Sequence, residues 1–256
     1  MIRIVMGLAV AGLVSAQTVY AAVQNTQNLT PEEKKALFMR RTGGFIEQPG
    51  SMKGCFAILN TQTEIPAAEF ETVAAYLKEE LKFDVKVSVV KPDAPAKLVA
   101  ATPNKVGVVV VADDDSPSLL VAPEDGWAVL NVRKLSKGLE TDSAKAKFVP
   151  ARFRKELMKA FSCVAGGTRS SFSGNLMSVK DYAALDLAPE VLPADKVENA
   201  TEYLKEIGFT PLRRVTYVRA CREGWAPAPT NDIQKLAWEK VHELPTKPIV
   251  IKPETK

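Results

Sequence analysis

The sequence has few residues that build metal sites and no long runs of charge. Its 256 residues contain one histidine, His242, and three cysteines, none of them spaced as CxxC or CxxxC. A zinc knuckle or zinc ribbon is therefore excluded. The 34 basic and 30 acidic side chains are interspersed without a run of five like charges, which argues against nucleic acid as a partner. We expect neither a cofactor nor a bound metal.

Long apolar runs are also scarce, and the one that exists lies at the N-terminus. Arg3 precedes an apolar run over 4–16, and Val19 and Ala21 have the spacing of small residues before a signal-peptidase cut. A run of about 13 residues is shorter than the ~20 that a membrane-spanning helix needs. We predict a signal peptide over 1–21 with cleavage near Ala21, a secreted or periplasmic protein, and no integral membrane segment after cleavage.

The cysteines leave the redox chemistry open. Export permits disulfides, but three cysteines leave one unpaired in any monomeric scheme. Cys163 with Cys221 is the favoured pair. The alternative is that these two and Cys55 are three buried thiols, which behave as small hydrophobic side chains.

The order of apolar patterns predicts an α+β fold. A compact apolar strand (54–62) is followed by a helix (66–83), an alternating strand (84–90) and four valines (108–111) typical of a strand buried on both faces. The predicted core stripe of the helix consists of Phe70, Val73, Ala74, Leu77 and Leu81.

An edge hairpin and a long helix complete the predicted sheet layer. Pro-Glu-Asp-Gly at 123–126 separates two short apolar segments, and Gly126 can take the positive φ of the turn. A helix from about 142 to 163 follows and is expected to end at Gly166. The residues expected to face the sheet are Phe153, Leu157, Ala160, Phe161 and Val164.

Beyond Gly166 the pattern predicts an ordered loop with a turn at Met177 and one further helix over 194–209. We therefore predict a single domain over 22–256, with an upper lobe at about 28–167 and a lower lobe at about 168–256.

The stretch KELMKAFSCVAGGTRSSFSGNLMS (155–178), together with this order of elements, resembles the metzincin zinc peptidases. The archaemetzincins, with the pattern H-E-x-x-H-x-x-G-x-x-H-C-x4-C-x-M, are the group it resembles most. Setting Gly166 on the motif glycine places Met177 on the motif methionine without a gap. The resemblance implies a metzincin-like fold: a mixed twisted sheet with an antiparallel edge hairpin, a long central helix, and an irregular lower lobe with a Met-turn and one C-terminal helix.

Other residue types occupy the zinc-ligand and general-base positions of this pattern. In this alignment Lys159 and Cys163 replace the two helix histidines, Arg169 replaces the third, and Ala160 replaces the general-base glutamate. Two cations repel Zn²⁺, and alanine cannot take a proton from a zinc-bound water. The sequence therefore predicts a pseudo-peptidase with a degenerate site and no metal.

The resemblance also implies where a polypeptide would bind. In metzincins the substrate peptide lies antiparallel to the edge strand above the active-site helix, a mode that uses main-chain hydrogen bonds. The corresponding segment here is 118–123, and the expected peptide-binding residues are Ser118, Leu119, Leu120 and Val121. We expect a polypeptide or another protein as partner.

Two other functions stay open. One is a hydrolase with an unrecognised site, for which Cys163 and His242 are the nucleophile and base to test. The other is a structural envelope protein, in which Pro117 and Pro123 only protect the sheet edge from aggregation. The carboxylates at 113–115 are interpreted as a solvated loop rather than as a Mg²⁺ or Ca²⁺ site.

Overall fold

The computed structural model describes residues 29–166 and 175–243. The predicted signal peptide and Arg169 lie outside these residues. The described residues form two compact units: a larger one within 49–213 and a smaller one that joins 29–48 with 214–243. The predicted lobe boundary at 167/168 stays a prediction.

The helices and strands are numbered in chain order. The α-helices are α1 (Pro31–Thr42), α2 (Ala67–Leu81), α3 (Pro95–Ala100), α4 (Asp142–Val164), α5 (Tyr182–Leu187), α6 (Ala194–Glu206), α7 (Tyr217–Glu223) and α8 (Asp232–Glu243). The strands are β1 (Phe45–Glu47), β2 (Cys55–Asn60), β3 (Asp84–Val89), β4 (Gly107–Val111), β5 (Leu119–Ala122), β6 (Trp127–Asn131) and β7 (Arg214–Thr216).

The larger unit is built on a five-stranded mixed sheet of order β3-β2-β4-β6-β5. The first four strands in this order run parallel, and β5 pairs antiparallel with β6 at the edge. A 3₁₀ turn at Pro123–Asp125 joins β5 to β6 and ends at Gly126, whose φ of 75° a glycine adopts without strain. The predicted α+β class, mixed sheet and antiparallel edge hairpin are confirmed.

Helices α2 and α4 cover one face of this sheet because each carries an apolar stripe. All ten stripe residues predicted for the two helices are buried. Short α3 covers part of the other face, where Val99 packs in a second cluster with Ala57, Leu59 and Val109. Helix α4 begins at the cap Thr141, runs 23 residues through Pro150, and is followed by Gly166 with φ of 77°.

The part of the chain after residue 166 is more helical than predicted. The described residues there include α5, α6, α7 and α8, where the sequence predicted one helix. In the smaller unit, α1, α7 and α8 accompany a two-stranded antiparallel sheet of β1 and β7. Among the described residues, no helix is both long and apolar enough to cross a bilayer.

Candidate functional site

A cleft of about 1010 Å³ lies in the larger unit beside the edge strand β5. Three parts of the chain form its walls: the edge strand, one face of α4, and the segment that contains Met177. These three walls include Ser118, Leu119, Val121, Glu156, Lys159, Cys163 and Met177. The structure thus brings together the helix positions, the edge segment and the methionine that the sequence singled out.

The edge strand has main-chain groups that point away from the sheet. The amide of Asn131 donates to the carbonyl of Ser118 over 3.0 Å, so these two residues form a hydrogen-bonded antiparallel pair. Because such pairs alternate along an antiparallel ladder, Leu120 also bonds to β6, whereas the N–H and C=O of Leu119 and Val121 face outward. No described strand pairs with this outer edge. The side chains of Leu119 and Val121 line the cleft, while Leu120 is on the opposite face and 46% exposed.

An ion pair occupies the α4 face of the cleft. Lys159 Nζ lies 3.0 Å from Glu156 Oε1, and the two side chains are only 15% and 8% exposed. Cys163, one turn further along, is half-buried and also lines the cleft. Ala160 is fully buried in the core and presents no polar atom to the cleft.

These residues do not fit a catalytic zinc ion. Such an ion needs about three nitrogen, oxygen or sulfur donors and an open position for water. Here the first helix-histidine position is Lys159, a cation already held by a carboxylate, and the second is Cys163, a soft donor. The general-base position is Ala160, which has only a methyl group. Across residues 29–166 and 175–243, no group of three His, Cys, Asp or Glu side chains could hold a metal ion.

The turn that contains Met177 is fixed by its own side chains. The Asn175 carboxamide oxygen accepts hydrogen bonds from the amides of Met177 and Ser178, at 2.9 and 3.0 Å, and the Ser178 hydroxyl donates to the Asn175 carbonyl. Met177 is 3% exposed and lines the same cleft as Lys159. The predicted Met-turn therefore lies against the predicted helix positions.

Buried cations on α4 bind the segments that surround this helix. Sequence reasoning did not find these contacts. Arg152 binds both carboxylate oxygens of Asp186 at 2.7 Å and donates to the carbonyls of Leu135 and Lys137. The Asp186 carboxylate raises the pKa of Arg152. Lys155 Nζ donates to the carbonyls of Leu185 and Asp186, at 2.8 and 3.2 Å. These bonds hold the 3₁₀ segment at 132–136 and helix α5 against the central helix.

Tyr182 and Glu156 are two further residues of the cleft that the sequence analysis missed. Burial raises the pKa of Tyr182, and the negative charge of Glu156 raises it further. The Arg152 guanidinium lies 4.8 Å from the centre of the Tyr182 ring. Opposite charges three residues apart on a buried helix face, Glu156 and Lys159, were the signal that could have revealed the ion pair.

Two predicted pairings join Cys163 to a residue of the smaller unit. All three cysteines are thiols in the structure. Cys163 belongs to the larger unit and Cys221 to the smaller one, and their pairing in a disulfide stays a prediction. Cys163 belongs to the larger unit and His242 to the smaller one, and their pairing stays a prediction. The His242 ring stacks on Trp238, and its Nδ1 lies 2.8 Å from the Trp238 carbonyl.

The carboxylates after β4 have roles within their loop. Asp113 Oδ1 accepts hydrogen bonds from the amides of Asp115 and Ser116, at 3.0 and 2.6 Å. These bonds, that of Ser116 above all, lower the pKa of Asp113. Asp114 pairs with Arg133 at 3.1 Å on an exposed surface.

Comparisons with known proteins return similar solved structures only. No family model matches the chain, and no curated protein matches it. The chain is similar to the archaemetzincin of Methanopyrus kandleri, with 15% identity and a TM-score of 0.48, over 62% of this chain and 98% of that one. It is also similar to the archaemetzincin of Archaeoglobus fulgidus complexed with malonate, with 15% identity and a TM-score of 0.42, over 57% of this chain and 99% of that one. A zinc-dependent peptidase of Methanocorpusculum labreanum is similar with 15% identity and a TM-score of 0.44, over 57% of this chain and 100% of that one. The likeness is one of fold.

Proposed function

We propose that this chain is an exported, catalytically inactive protein of metzincin-like fold that binds an extended polypeptide along β5. The observation that carries the proposal is the outer edge of β5, where Leu119 and Val121 direct main-chain groups outward and side chains into the cleft. An extended peptide paired there makes main-chain hydrogen bonds and places alternate side chains into the cleft.

The chemistry of α4 supports binding without catalysis. The Lys159 ammonium is paired with Glu156, so neither group is available as an unpaired acid or base. Ala160 provides no carboxylate at the position that would accept a proton from water. Stoichiometric zinc that a chelator removes, measured by elemental analysis of the purified protein, would contradict this part of the proposal.

The charge around the cleft favours an acidic polypeptide. Four lysines line it, at positions 134, 137, 159 and 180, against two acids, Glu156 and Asp181. Glu156 is neutralised by Lys159, and the Asp181 carboxylate accepts a hydrogen bond from the Ala184 amide at the start of α5. The net positive rim attracts Asp and Glu side chains of a bound segment, and salt weakens this attraction.

Export is the second element of the proposal and depends on the N-terminal sequence alone. Cleavage near Ala21 leaves a mature chain that begins at Ala22. Intact-mass measurement on protein recovered from the producing cell tests it. A chain that retains Met1 in the cytoplasm would contradict both the signal peptide and the secreted or periplasmic location.

The binding site can be tested with one proline substitution and its neighbour as control. Val121→Pro removes an outward N–H without breaking a bond to β6, and edge strands tolerate proline in that orientation. Leu120→Pro removes a bond to β6 and is expected to destabilise the sheet. The probe is a displayed library of random 12-residue peptides, selected on the purified protein.

We expect the selected peptides to be rich in Asp and Glu, to bind the wild-type protein, and to lose at least about tenfold in affinity with Val121→Pro. Circular dichroism and urea unfolding should show that Val121→Pro remains folded, whereas Leu120→Pro is less stable. Peptides that bind Val121→Pro and the wild type equally would overturn the assignment of β5 as the binding edge. Peptides without an acidic bias would overturn the predicted specificity.

A further inference from the structure

A second groove, of about 700 Å³, lies in the smaller unit and is lined by residues of α1, α7 and α8. Its apolar residues include Val218 of α7 and a stripe along α8, which comprises Ile233, Leu236, Ala237 and Val241. Leu236 is 54% exposed although it lies among these apolar side chains. The groove therefore has an apolar floor that the described part of the smaller unit leaves open to solvent.

Four cations surround this floor: Arg40, Arg41, Arg222 and Lys240. Within residues 29–166 and 175–243, none of the four has an ion-pair or hydrogen-bond partner for its side chain. The one acid in the lining, Asp232, is paired with Lys235 at 3.2 Å. The rim thus has an excess of unpaired positive charge.

Helix dipoles explain part of this arrangement. Each of the four cations lies in the last turn of its helix, where positive charge is favourable. The dipole accounts for each cation separately, but it does not account for their position around one apolar groove with an exposed leucine. The combination matches a ligand that has both negative charge and hydrocarbon.

The chain's own terminal segments do not have this chemistry. Residues 1–28 contain one charged side chain, Arg3, and residues 244–256 contain three lysines and one glutamate. Both segments are net positive and would be repelled by the rim. Three of the four rim cations are arginines, whose planar guanidinium groups bind phosphate oxygens in pairs.

We propose that this groove binds anionic phospholipid at a membrane surface. The phosphates contact the arginines and Lys240, and an acyl chain near the headgroup contacts Leu236. This mode keeps the protein peripheral, because the cations act at the headgroup level and the apolar contact reaches only the outer part of the hydrocarbon.

The test is cosedimentation of the full chain with vesicles of phosphatidylcholine, with and without phosphatidylglycerol. We expect binding to require phosphatidylglycerol and to weaken as salt is added. Arg41→Gln and Arg222→Gln should each lower the partition coefficient about fivefold. Lys35→Gln, the same charge change at an exposed residue of α1 that does not line the groove, should leave it within about twofold. Leu236→Ser should also lower it about fivefold, whereas Leu187→Ser, at a leucine 89% exposed in the larger unit, should not.

The apolar N-terminal run is present in every variant and with both vesicle types, so it does not produce these differences. Equal binding to the two vesicle types would overturn the proposal. Equal losses with Lys35→Gln and Arg222→Gln would also overturn it, since the effect of the charge would then not depend on its position at the groove. An unchanged partition coefficient with Leu236→Ser would overturn the apolar contact. The result is independent of peptide binding at β5, which is measured without lipid.

Discussion

Replacement of Lys159 by methionine tests whether the ion pair in the cleft has the burial that the structure gives it. The Lys159 Nζ and Glu156 Oε1 atoms are 3.0 Å apart, and both side chains are largely buried. At this distance an effective dielectric constant of 20 gives an attraction of about 5.5 kcal/mol before the cost of desolvation. Removing one partner of such a pair costs about 3–5 kcal/mol, because the other charge stays buried. Lys159 retains some exposure, so we expect a loss of about 3 kcal/mol in the free energy of unfolding.

The assay is urea unfolding monitored by circular dichroism at neutral pH. A matched control exists on the same helix: Lys145 pairs with Asp142 at 3.2 Å with the same three-residue spacing, but both side chains are exposed. Lys145→Met is expected to change the unfolding midpoint within experimental error, since exposed pairs contribute little. The two substitutions differ mainly in the burial of the carboxylate that is left behind.

The double variant Glu156→Leu with Lys159→Met removes both charges. Buried ion pairs replaced by apolar residues of similar size are often neutral in stability, so most of the loss caused by Lys159→Met should be recovered. If Lys159→Met costs no more than Lys145→Met, Glu156 is accessible to water and the reasoning is wrong. If the double variant is less stable than Lys159→Met alone, the penalty arises from packing rather than from an isolated buried charge.

Two further predictions concern reactivity and the cleft wall. Burial, together with the nearby Asp84 carboxylate, raises the pKa of the Cys55 thiol to about 11, so about one molecule in a thousand carries the thiolate at pH 8. Peptide mapping after iodoacetamide treatment should show slow alkylation of Cys55 that accelerates toward pH 11. In Asp84→Asn, alkylation at pH 8 should be faster than in the wild type. A rate at pH 8 typical of an exposed thiol would contradict the burial of Cys55. Arg152→Lys removes the bidentate contact to Asp186. It should lower the free energy of unfolding in urea by about 2–3 kcal/mol and weaken peptide binding. An unchanged unfolding midpoint would mean that the segments around α4 do not depend on this side chain.

The elements that follow strong local patterns were predictable from the sequence. The apolar stripes of α2 and α4, the four valines of β4 and the Pro-Glu-Asp-Gly turn each specify one structure within a short window, and all are confirmed. The position of Met177 at the cleft followed from its spacing to Gly166, because a glycine with positive φ and a turn closed by Asn175 are local features.

The elements that depend on distant partners were not predictable. Strands β1 and β7 have three residues each and pair across most of the chain, so neither contains a pattern of its own. Helix α8 does have apolar residues at helical spacing, but proline-rich sequence before and after it obscured the signal. Arg152 was missed for a similar reason: its partners lie 15 to 34 residues away, in or just after the 3₁₀ segment at 132–136 and in helix α5. A lone arginine in a helix does not indicate them.

The two faces of α4 have separate roles in the structure. The core face packs Phe153, Leu157 and Phe161 against the sheet, and this contact does not depend on what the cleft face carries. On the cleft face, a glutamate and a lysine one turn apart neutralise each other, so the helix needs no metal to compensate a buried charge. Because replacing such a pair by apolar residues is often neutral in stability, its main effect lies in the cleft, where it keeps polar atoms beside the outward edge of β5. Under the proposed function, a polypeptide bound along β5 meets these fixed charges and main-chain groups, an arrangement suited to holding an extended chain.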